Sequence, residues 1–451
     1  MPRLNLATAL RDLSQEQLID VVLTLTRRDP KLERQVRLSL TAHSAVVSEL
    51  ARAVQEVLKT RRYLDYRDMI EYAQEARPLV EALAEAAEGP VAAQLVPVAE
   101  KAVGHIVKCL LNGDDSSGAG GDVAMELLRV HARAAAVGRP DPERLLRWLI
   151  RFTFEDQDFF NPDVRDYAPA LGEAGIEAYR AEVLRRAAAE PEDFATQHAL
   201  GQLALLDRDA DAIVRTFGGR LEGVHRYVAV AEAFLEIADE EAALRWALRG
   251  SERPATWQSR PLYDVAAKLL AGRGDGNRVV DVREQCLRAL PDPTSYAALR
   301  DAAEAVGRWP QVREEALAIV QASSVDAYLQ VLLLDGDPDR AWEALQTWGP
   351  RSAPESTVQQ VATARAETHP ADAVPHYQRA IDQTLPTADR SAYRDAARLL
   401  VRLRTLEQRA GRPEAFDDFL AGVVEANRRR PSFFDELRKA GLRRSPVRQG
   451  N

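Results

Sequence analysis

Apolar residues recur along most of this chain at the three- and four-residue spacing of amphipathic helices. After Asp337-Pro338, for example, Ala341, Leu345 and Trp348 lie on one helical face. Proline fits the first helical position because its missing N–H would have no partner there, and a preceding Asp can accept hydrogen bonds from the first turn. A polar residue followed by proline therefore predicts a helix start. The same pair recurs at positions 29–30, 141–142, 190–191, 292–293, 369–370, 412–413 and 430–431.

The first 138 residues predict a helical N-terminal domain. Short helices are expected within 3–42, where Ser14 and Gln17 have the spacing of a capping box. Further helices are predicted over 44–60, 67–88, 91–111 and 125–137. A change of pattern near Gly138 predicts the domain boundary there.

Residues 139–442 predict a second, repeat-like domain. From about residue 176 the helices form pairs, and two helices with their turns occupy about 30–36 residues, the period of tetratricopeptide-like solenoids. Each hairpin in such an array buries its apolar face only against its neighbours. The predicted fold is therefore all-α: a helical hairpin array, with a tetratricopeptide-like solenoid in the C-terminal part. Residues 443–451 are expected to form a flexible basic tail.

Composition agrees with an ordered protein outside the membrane. Of the 451 residues, 46% are hydrophobic and 29% are charged, and no apolar run approaches the roughly 20 residues needed to span a bilayer. The N-terminus lacks the apolar core of a signal peptide. Cys109 and Cys286 are too few for a disulfide framework, so buried or idle thiols in a reducing compartment are expected. These features favour a cytoplasmic location.

Net charge is −9 and is unevenly distributed. Segment 428–451 holds eight basic and two acidic residues, which makes it +6 and the rest of the chain −15. The candidate partner-binding residues are Arg428, Arg429, Arg430, Arg443 and Arg444. The first three either interact with a helix dipole or, with the tail, dock on an acidic protein or nucleic acid.

The glycine-rich segment 113–122 is the first place where chemistry would be expected. It lacks the Lys-Ser/Thr of a phosphate-binding loop and the ligand spacing of a calcium loop. A flexible connector is favoured, and a weak Mg²⁺ or Ca²⁺ site on Asp114, Asp115 and Asp122 is the alternative.

No other pattern predicts catalysis or a metal. The seven histidines form no zinc motif, and a packed role for His105 and His131 is favoured over their meeting across neighbouring helices. No nucleophile elbow or dinucleotide fingerprint occurs. The aromatic stretch 154–171 predicts an irregular connector over a groove, or an ordinary crossover with buried rings. No catalytic, cofactor-binding or metal residue is predicted, and the chain is expected not to be an enzyme.

Several segments resemble a known family. RYLDYRDMIEYAQEARPLVEAL, NGDDSSG, MELLRVHARAA, DPERLLRWL and YAPALGEAGIEAYR resemble the helical region of bacterial SWIM zinc-finger proteins and related uncharacterised helical proteins. LSQEQLIDVVLTLTRRDPKL and HYQRAIDQTL extend the similarity over most of residues 10–440. The Cys-x-Cys and Cys-x-His of the family's finger are absent, so the resemblance implies a helical-repeat scaffold without its zinc module.

These observations favour a non-enzymatic helical-repeat scaffold that binds a protein or peptide partner without a cofactor. Solenoids of hairpins expose extended binding surfaces, which is the physical reason for this expectation. The alternative is a nucleic-acid-associated accessory factor that contacts phosphates through its basic C-terminus.

Overall fold

The computed structural model describes residues 13–29, 32–33, 36, 47–157 and 159–442. Across these ranges the chain is all-α, with 22 helices and no β-strand, so the predicted fold class is confirmed. An isolated β-bridge joins Leu64 and Gly113. The chain forms two compact units, Met1–Arg220 and Leu221–Asn451, called here the first and the second unit. The boundary predicted at Gly138 lies within the first unit and stays a prediction.

The first unit is built from helical hairpins. Its helices are α1 (Gln15–Thr26), α2 (Val47–Leu58), α3 (Tyr66–Ala87), α4 (Ala92–Leu110), α5 (Ala119–Gly138), α6 (Pro142–Arg151), α7 (Val164–Ala189), α8 (Phe194–Asp207) and α9 (Ala210–Ile213). Helices α2 and α3, α4 and α5, and α6 and α7 pack as pairs, while α3, α5 and α7 also form a layer. The predicted capping box is confirmed: Ser14 and Gln17 each accept from the other's backbone N–H at the start of α1.

The second unit continues this pattern with a regular period. Its helices are α10 (Val224–Glu236), α11 (Glu240–Ser251), α12 (Arg260–Gly272), α13 (Gly276–Ala289), α14 (Pro293–Ala305), α15 (Trp309–Ser323), α16 (Val325–Leu334), α17 (Pro338–Trp348), α18 (Glu355–Arg365), α19 (Pro370–Thr384), α20 (Arg390–Arg409), α21 (Pro413–Ala426) and α22 (Pro431–Lys439). The first helices of successive hairpins, α10 to α20, begin 30 to 36 residues apart. From α10 to α21 each helix packs on the next, and α22 packs on α20; this is the predicted tetratricopeptide-like arrangement.

Most polar-proline pairs start helices as predicted. Proline is the first residue of α6, α14, α17, α19, α21 and α22. In three of them the preceding Asp caps the helix, as where Asp337 accepts from the N–H of Arg340 at 3.1 Å. The prediction at Glu190-Pro191 is wrong: α8 begins at Phe194, because Asp193 provides the cap. Position 30 lies outside the described residues.

Arginines connect successive hairpins of the second unit. Arg308, which immediately precedes α15, donates to Asp281 of α13 at 2.9 Å, and Arg340 of α17 pairs with Glu314 of α15 at 3.3 Å. Arg365 likewise reaches Asp339 in the preceding hairpin. The planar guanidinium has five donors and can bridge several acceptors, which an ammonium does less well. The chain has 54 arginines and 6 lysines, and these bridges between hairpins are one structural role of the arginines.

Helix α22 completes the core of the second unit. The ring of Phe433 is fully buried 5.7 Å from that of Tyr393, and Leu442 is the last buried residue described. The basic segment up to residue 442 is therefore part of the fold. Within the described ranges no helix is long and apolar enough to cross a bilayer.

Two glycines allow a matched test of helix packing. A Cβ on Gly138 of α5 would lie 2.3 Å from the backbone nitrogen of Ala93, whereas one on Gly104 of α4 would meet nothing within 4 Å. We expect Gly138→Ala to lower the free energy of unfolding by about 1–3 kcal/mol, because backbone cannot yield as a side chain can. Gly104→Ala should raise it by about 0.5–1 kcal/mol, since alanine is the better helix former. Chemical denaturation followed by circular dichroism measures both, and equal effects would contradict the close approach.

Candidate partner-binding site

Three of the predicted C-terminal arginines lie in the described part of the chain, and the structure gives them different roles. Arg428 pairs with Glu425 of α21 at 2.5 Å, with both side chains exposed. Arg430 donates to the carbonyl of Leu385 at 2.7 Å and lies over the ring of Tyr393. Arg430 therefore holds the start of α22 in place.

Arg429 is exposed and has no hydrogen bond or ion pair within the described ranges. The predicted residues Arg443 and Arg444 lie outside those ranges. The five residues thus do not form one described cluster, and their binding role stays a prediction.

The acidic segment 113–122 is more ordered than a flexible connector, and the prediction that α5 begins at Met125 is wrong. Asp115 accepts from the N–H groups of Gly120 and Gly121 at 2.9 and 2.8 Å, so α5 begins earlier, at Ala119. Hydrogen bonds from Ser116 lower the pKa of Asp114. Two of the three carboxylates considered as cation ligands therefore serve the backbone of their own loop.

The two cysteine thiols, His105 and His131 lie in different surroundings. Cys109 and Cys286 are both buried free thiols whose pKa values are raised by burial. His105 contacts the amide of Gln55 at 2.9 Å, whereas His131 lies in a different cluster. Across the described ranges, no three His, Cys, Asp or Glu side chains come together as a metal site.

A buried polar cluster joins four helices of the first unit around His131 of α5. Its Nδ1 lies 3.0 Å from the hydroxyl of Tyr167 on α7, and the indole of Trp148 on α6 covers the imidazole at 4.1 Å between centroids. Its Nε2 lies 3.7 Å from Oε1 of Glu100 on α4, too far for a hydrogen bond. The other oxygen of Glu100 accepts from Arg144 at 2.7 Å. Because His131 is fully buried, this cluster holds helices together and does not face a substrate.

The cluster links stability to pH. Burial lowers the pKa of His131 below its usual value, despite the nearby Glu100. Burial alone would raise the pKa of Glu100, but His131 and Arg144 lower it. A depressed histidine pKa means that the fold favours the neutral imidazole, so its contribution is lost as pH falls below the unfolded value of about 6.5. The Glu100 contribution is lost only at lower pH, below about 4.3.

We expect the free energy of unfolding to decrease from pH 7 to pH 5, and His131→Gln to make this decrease smaller. The difference in slope should be at most about 1.4 kcal/mol per pH unit, the limit for one proton. Chemical denaturation at several pH values measures it. His225→Gln is the control, because His225 is exposed. Burial also lowers the pKa values of His105 and His376, so several groups contribute to the pH dependence of the wild-type free energy of unfolding. An unchanged slope in His131→Gln would contradict this account.

The aromatic connector between α6 and α7 has features of both predicted arrangements, the irregular connector and the crossover with buried rings. The chain continues α6 as a π-helical segment, Phe152–Asp156, and then becomes irregular. The amide of Gln157 donates to the carbonyls of Phe152 and Phe160 and accepts from the N–H groups of Phe159 and Phe160. The rings of Phe152 and Tyr167 are buried, as in a crossover, whereas that of Phe159 is exposed.

A small cleft of about 260 Å³ lies between this connector, the end of α7 and the start of α8. Arg186 covers the ring of Phe154 at 4.5 Å, and it shares Glu182 with Arg185. Hydrogen bonds from these two arginines lower the pKa of Glu182 to about 2. The positive charges that line the cleft are thus already paired within the first unit.

Trp257 is the most exposed large apolar side chain in the described ranges, with 81% of its surface accessible. It lies in the connection between α11 and α12, where a short 3₁₀ segment, Trp257–Ser259, packs on both α10 and α12. An exposed indole leaves apolar surface in contact with water, and burial against a partner would remove that surface from water.

The backbone around Trp257 is fixed by a capping box. The hydroxyl of Thr256 accepts from the N–H of Gln258 at 3.3 Å, and that of Ser259 accepts from the N–H of Thr256 at 3.0 Å. Ser259 is itself buried, and the next residue, Arg260, donates to Asp292 at 2.5 Å in the following hairpin. The indole is therefore presented from a fixed backbone.

Three arginines lie on α10, on α11 and in the same connection as this tryptophan. Arg226 and Arg253 are exposed and form no ion pair within the described ranges, and Arg249 covers the ring of Trp246 at 4.9 Å. Tryptophan and arginine are the residue types most enriched among those that dominate interface energies. No pattern in the sequence indicated a binding role for Trp257. The available signal was a tryptophan between Thr256 and Ser259, the capping pair of that turn.

Comparisons with known proteins give no family. No family model matches this chain, and no curated protein matches it. Among solved structures, it is similar to a chain in the crystal structure of the APC/C hetero-tetramer Cut9-Hcn1. The identity is 14%, the coverage is 94% of this chain and 86% of that chain, and the TM-score is 0.21. A likeness at that TM-score carries no argument about this chain, and the resemblance to SWIM zinc-finger proteins stays a prediction.

Proposed function

We propose that this chain is a non-enzymatic helical-repeat scaffold, and that a protein or peptide partner binds its second unit with Trp257 as the central anchor. The observation that carries this proposal is the 81% exposed indole on a hydrogen-bonded 3₁₀ segment. The stacked hairpins supply the frame, and the connection between α11 and α12 supplies the contact.

The energetics favour such an anchor. The few residues that dominate an interface cost about 2 kcal/mol or more when truncated, and tryptophan is enriched among them. Because Thr256 and Ser259 already fix the backbone, the segment loses less entropy on binding than a mobile loop would. Arg253 in the same connection, and Arg226 on α10, which packs on the 3₁₀ segment, are exposed donors for hydrogen bonds to the partner.

The non-enzymatic part of the proposal is supported by where the titratable groups lie. His131 and Glu100, with shifted pKa values, are packed between helices in the first unit. The aspartates of the acidic loop cap backbone N–H groups. These groups are committed to the fold, and their arrangement stabilises helices.

We expect Trp257→Ala to weaken partner binding by about 2 kcal/mol, roughly thirtyfold, without lowering helicity. Tagged wild-type and variant chains would be used for affinity purification from the native host, with quantitative mass spectrometry of the bound proteins. Phe194→Ala is the matched control, because Phe194 is a similarly exposed aromatic residue in the first unit. Retention of the same proteins at the same level by Trp257→Ala would contradict the proposal.

The alternative, a nucleic-acid-associated factor, depends on the basic C-terminus, where Arg429 is exposed and has no ion pair with any residue that the structure describes. A deletion from Arg428 onward would remove α22 and the buried ring of Phe433, so it would test folding as well as binding. The appropriate variant ends at Leu442 and carries Arg429→Ala.

We expect full-length protein to bind DNA and RNA weakly at physiological salt, because the rest of the chain has a net charge of −15. The variant ending at Leu442 should keep the protein partner. Fluorescence anisotropy with labelled oligonucleotides at two salt concentrations measures nucleic-acid binding. The affinity purification described above measures whether the variant keeps the protein partner. Tight, salt-sensitive nucleic-acid binding that this variant loses would favour the alternative.

A further inference from the structure

The three connections within the hairpins of the first unit lie side by side. The connection between α2 and α3 touches that between α4 and α5, because the N–H of Asp114 donates to the carbonyl of Leu64 at 2.8 Å. The connection between α6 and α7 reaches the first turn of α5, since a Cβ on Gly121 would lie 3.9 Å from the ring of Phe160. These connections, taken together with the adjoining helical residues (59–67, 111–122, 152–157 and 159–163), are called here the loop edge.

The loop edge exposes large side chains on an ordered backbone. Tyr63 is 62% exposed and Phe159 is 60% exposed, and Tyr66 and Leu111 are also exposed. Hydrogen bonds with Gln157 hold the backbone of Phe159 and Phe160 in the third connection, as those to Asp114 and Asp115 hold the second. An ordered apolar surface has a low entropic cost of association.

Opposite charges lie next to each other on this edge without pairing. Segment 59–67 holds the cations Lys59, Arg61, Arg62 and Arg67 and only one carboxylate, whereas segment 111–122 holds three carboxylates and no cation. Arg62 pairs with Asp68 in the first turn of α3. Lys59, Arg61, Arg67 and Asp122 form no ion pair within the described residues.

A surface with both signs side by side is complementary to its own copy. When a twofold axis passes between the two segments, the basic segment of one molecule faces the acidic segment of the other, twice in one dimer. A different partner would have to carry an acidic and a basic segment placed opposite the basic and the acidic segment of this chain. A second copy provides both by symmetry. Charge complementarity of this kind also steers association.

We propose that the loop edge is a homodimer interface, in which Tyr63, Leu111 and Phe159 form the apolar centre and Arg61 faces Asp122 of a second copy. This interface belongs to the first unit and is independent of the Trp257 surface proposed above.

Charge reversal tests this pairing in the full chain. Arg61→Glu places two carboxylates opposite each other at both symmetric contacts, and Asp122→Arg places two cations there. We expect each variant alone to have a dissociation constant for the dimer raised roughly tenfold or more at low salt. An equimolar mixture of the two variants should restore the wild-type constant, because both contacts then join opposite charges. Sedimentation equilibrium measures all three.

Controls separate this effect from misfolding and from net charge. Arg273→Glu reverses an exposed arginine of the second unit and should leave the dimer unchanged. Circular dichroism should show the same helicity in every variant, and recovery in the mixture itself requires folded chains. A wild-type chain that stays monomeric would overturn the proposal. So would a dimer that is indifferent to both reversals, or a mixture that fails to recover.

Discussion

Burial of each hairpin by its neighbours is the constraint on which the rest of this structure depends. A two-helix hairpin has one apolar face too large to leave in water, and in the second unit each helix from α11 to α21 covers the helix before it. Small residues keep these contacts close, as where Ala341 and Ala373 are fully buried. Arginine–carboxylate bridges such as Arg340 with Glu314 then fix the position of each hairpin relative to the preceding one. Stability in such an array is local, and the connections at the hairpin ends remain available for contacts.

Much of this fold could be predicted because its signals are local. The capping box at Ser14 and the aspartate–proline starts of α6, α14 and α17 depend only on adjacent residues, and the structure contains them. The failure at Glu190-Pro191 has the same origin: Asp193 is a second cap only three residues later, and it accepts from the N–H of Thr196 in the first turn of α8. The early start of α5 was missed because a run with glycines at 118, 120 and 121 has low helix propensity, and the Asp115 hydrogen bonds that offset it were not visible as a motif.

Much less of the candidate site could be predicted from the sequence. The arginines at 428–430 looked equivalent, but their surroundings distinguish them: Arg430 contacts Leu385, which lies far away in sequence. Exposure is likewise a property of the packed structure, so Trp257 could not be separated from the tryptophans that are partly or fully packed, such as Trp148. The side-by-side placement of residues 59–67 and 111–122 depends on the single bridge between Leu64 and Gly113. Long-range contacts of this kind leave no periodic pattern in one sequence.

The central claim is that a rigid hairpin array presents Trp257 on a pre-formed backbone. Hydrogen–deuterium exchange of the free chain tests this claim most directly. The N–H groups of Thr256, Gln258 and Ser259 donate to oxygens within the segment, so the account predicts slowed exchange there even without a partner. It also predicts further slowing in this segment when a partner is added. Exchange of these three amides as fast as in an unfolded chain would contradict the claim.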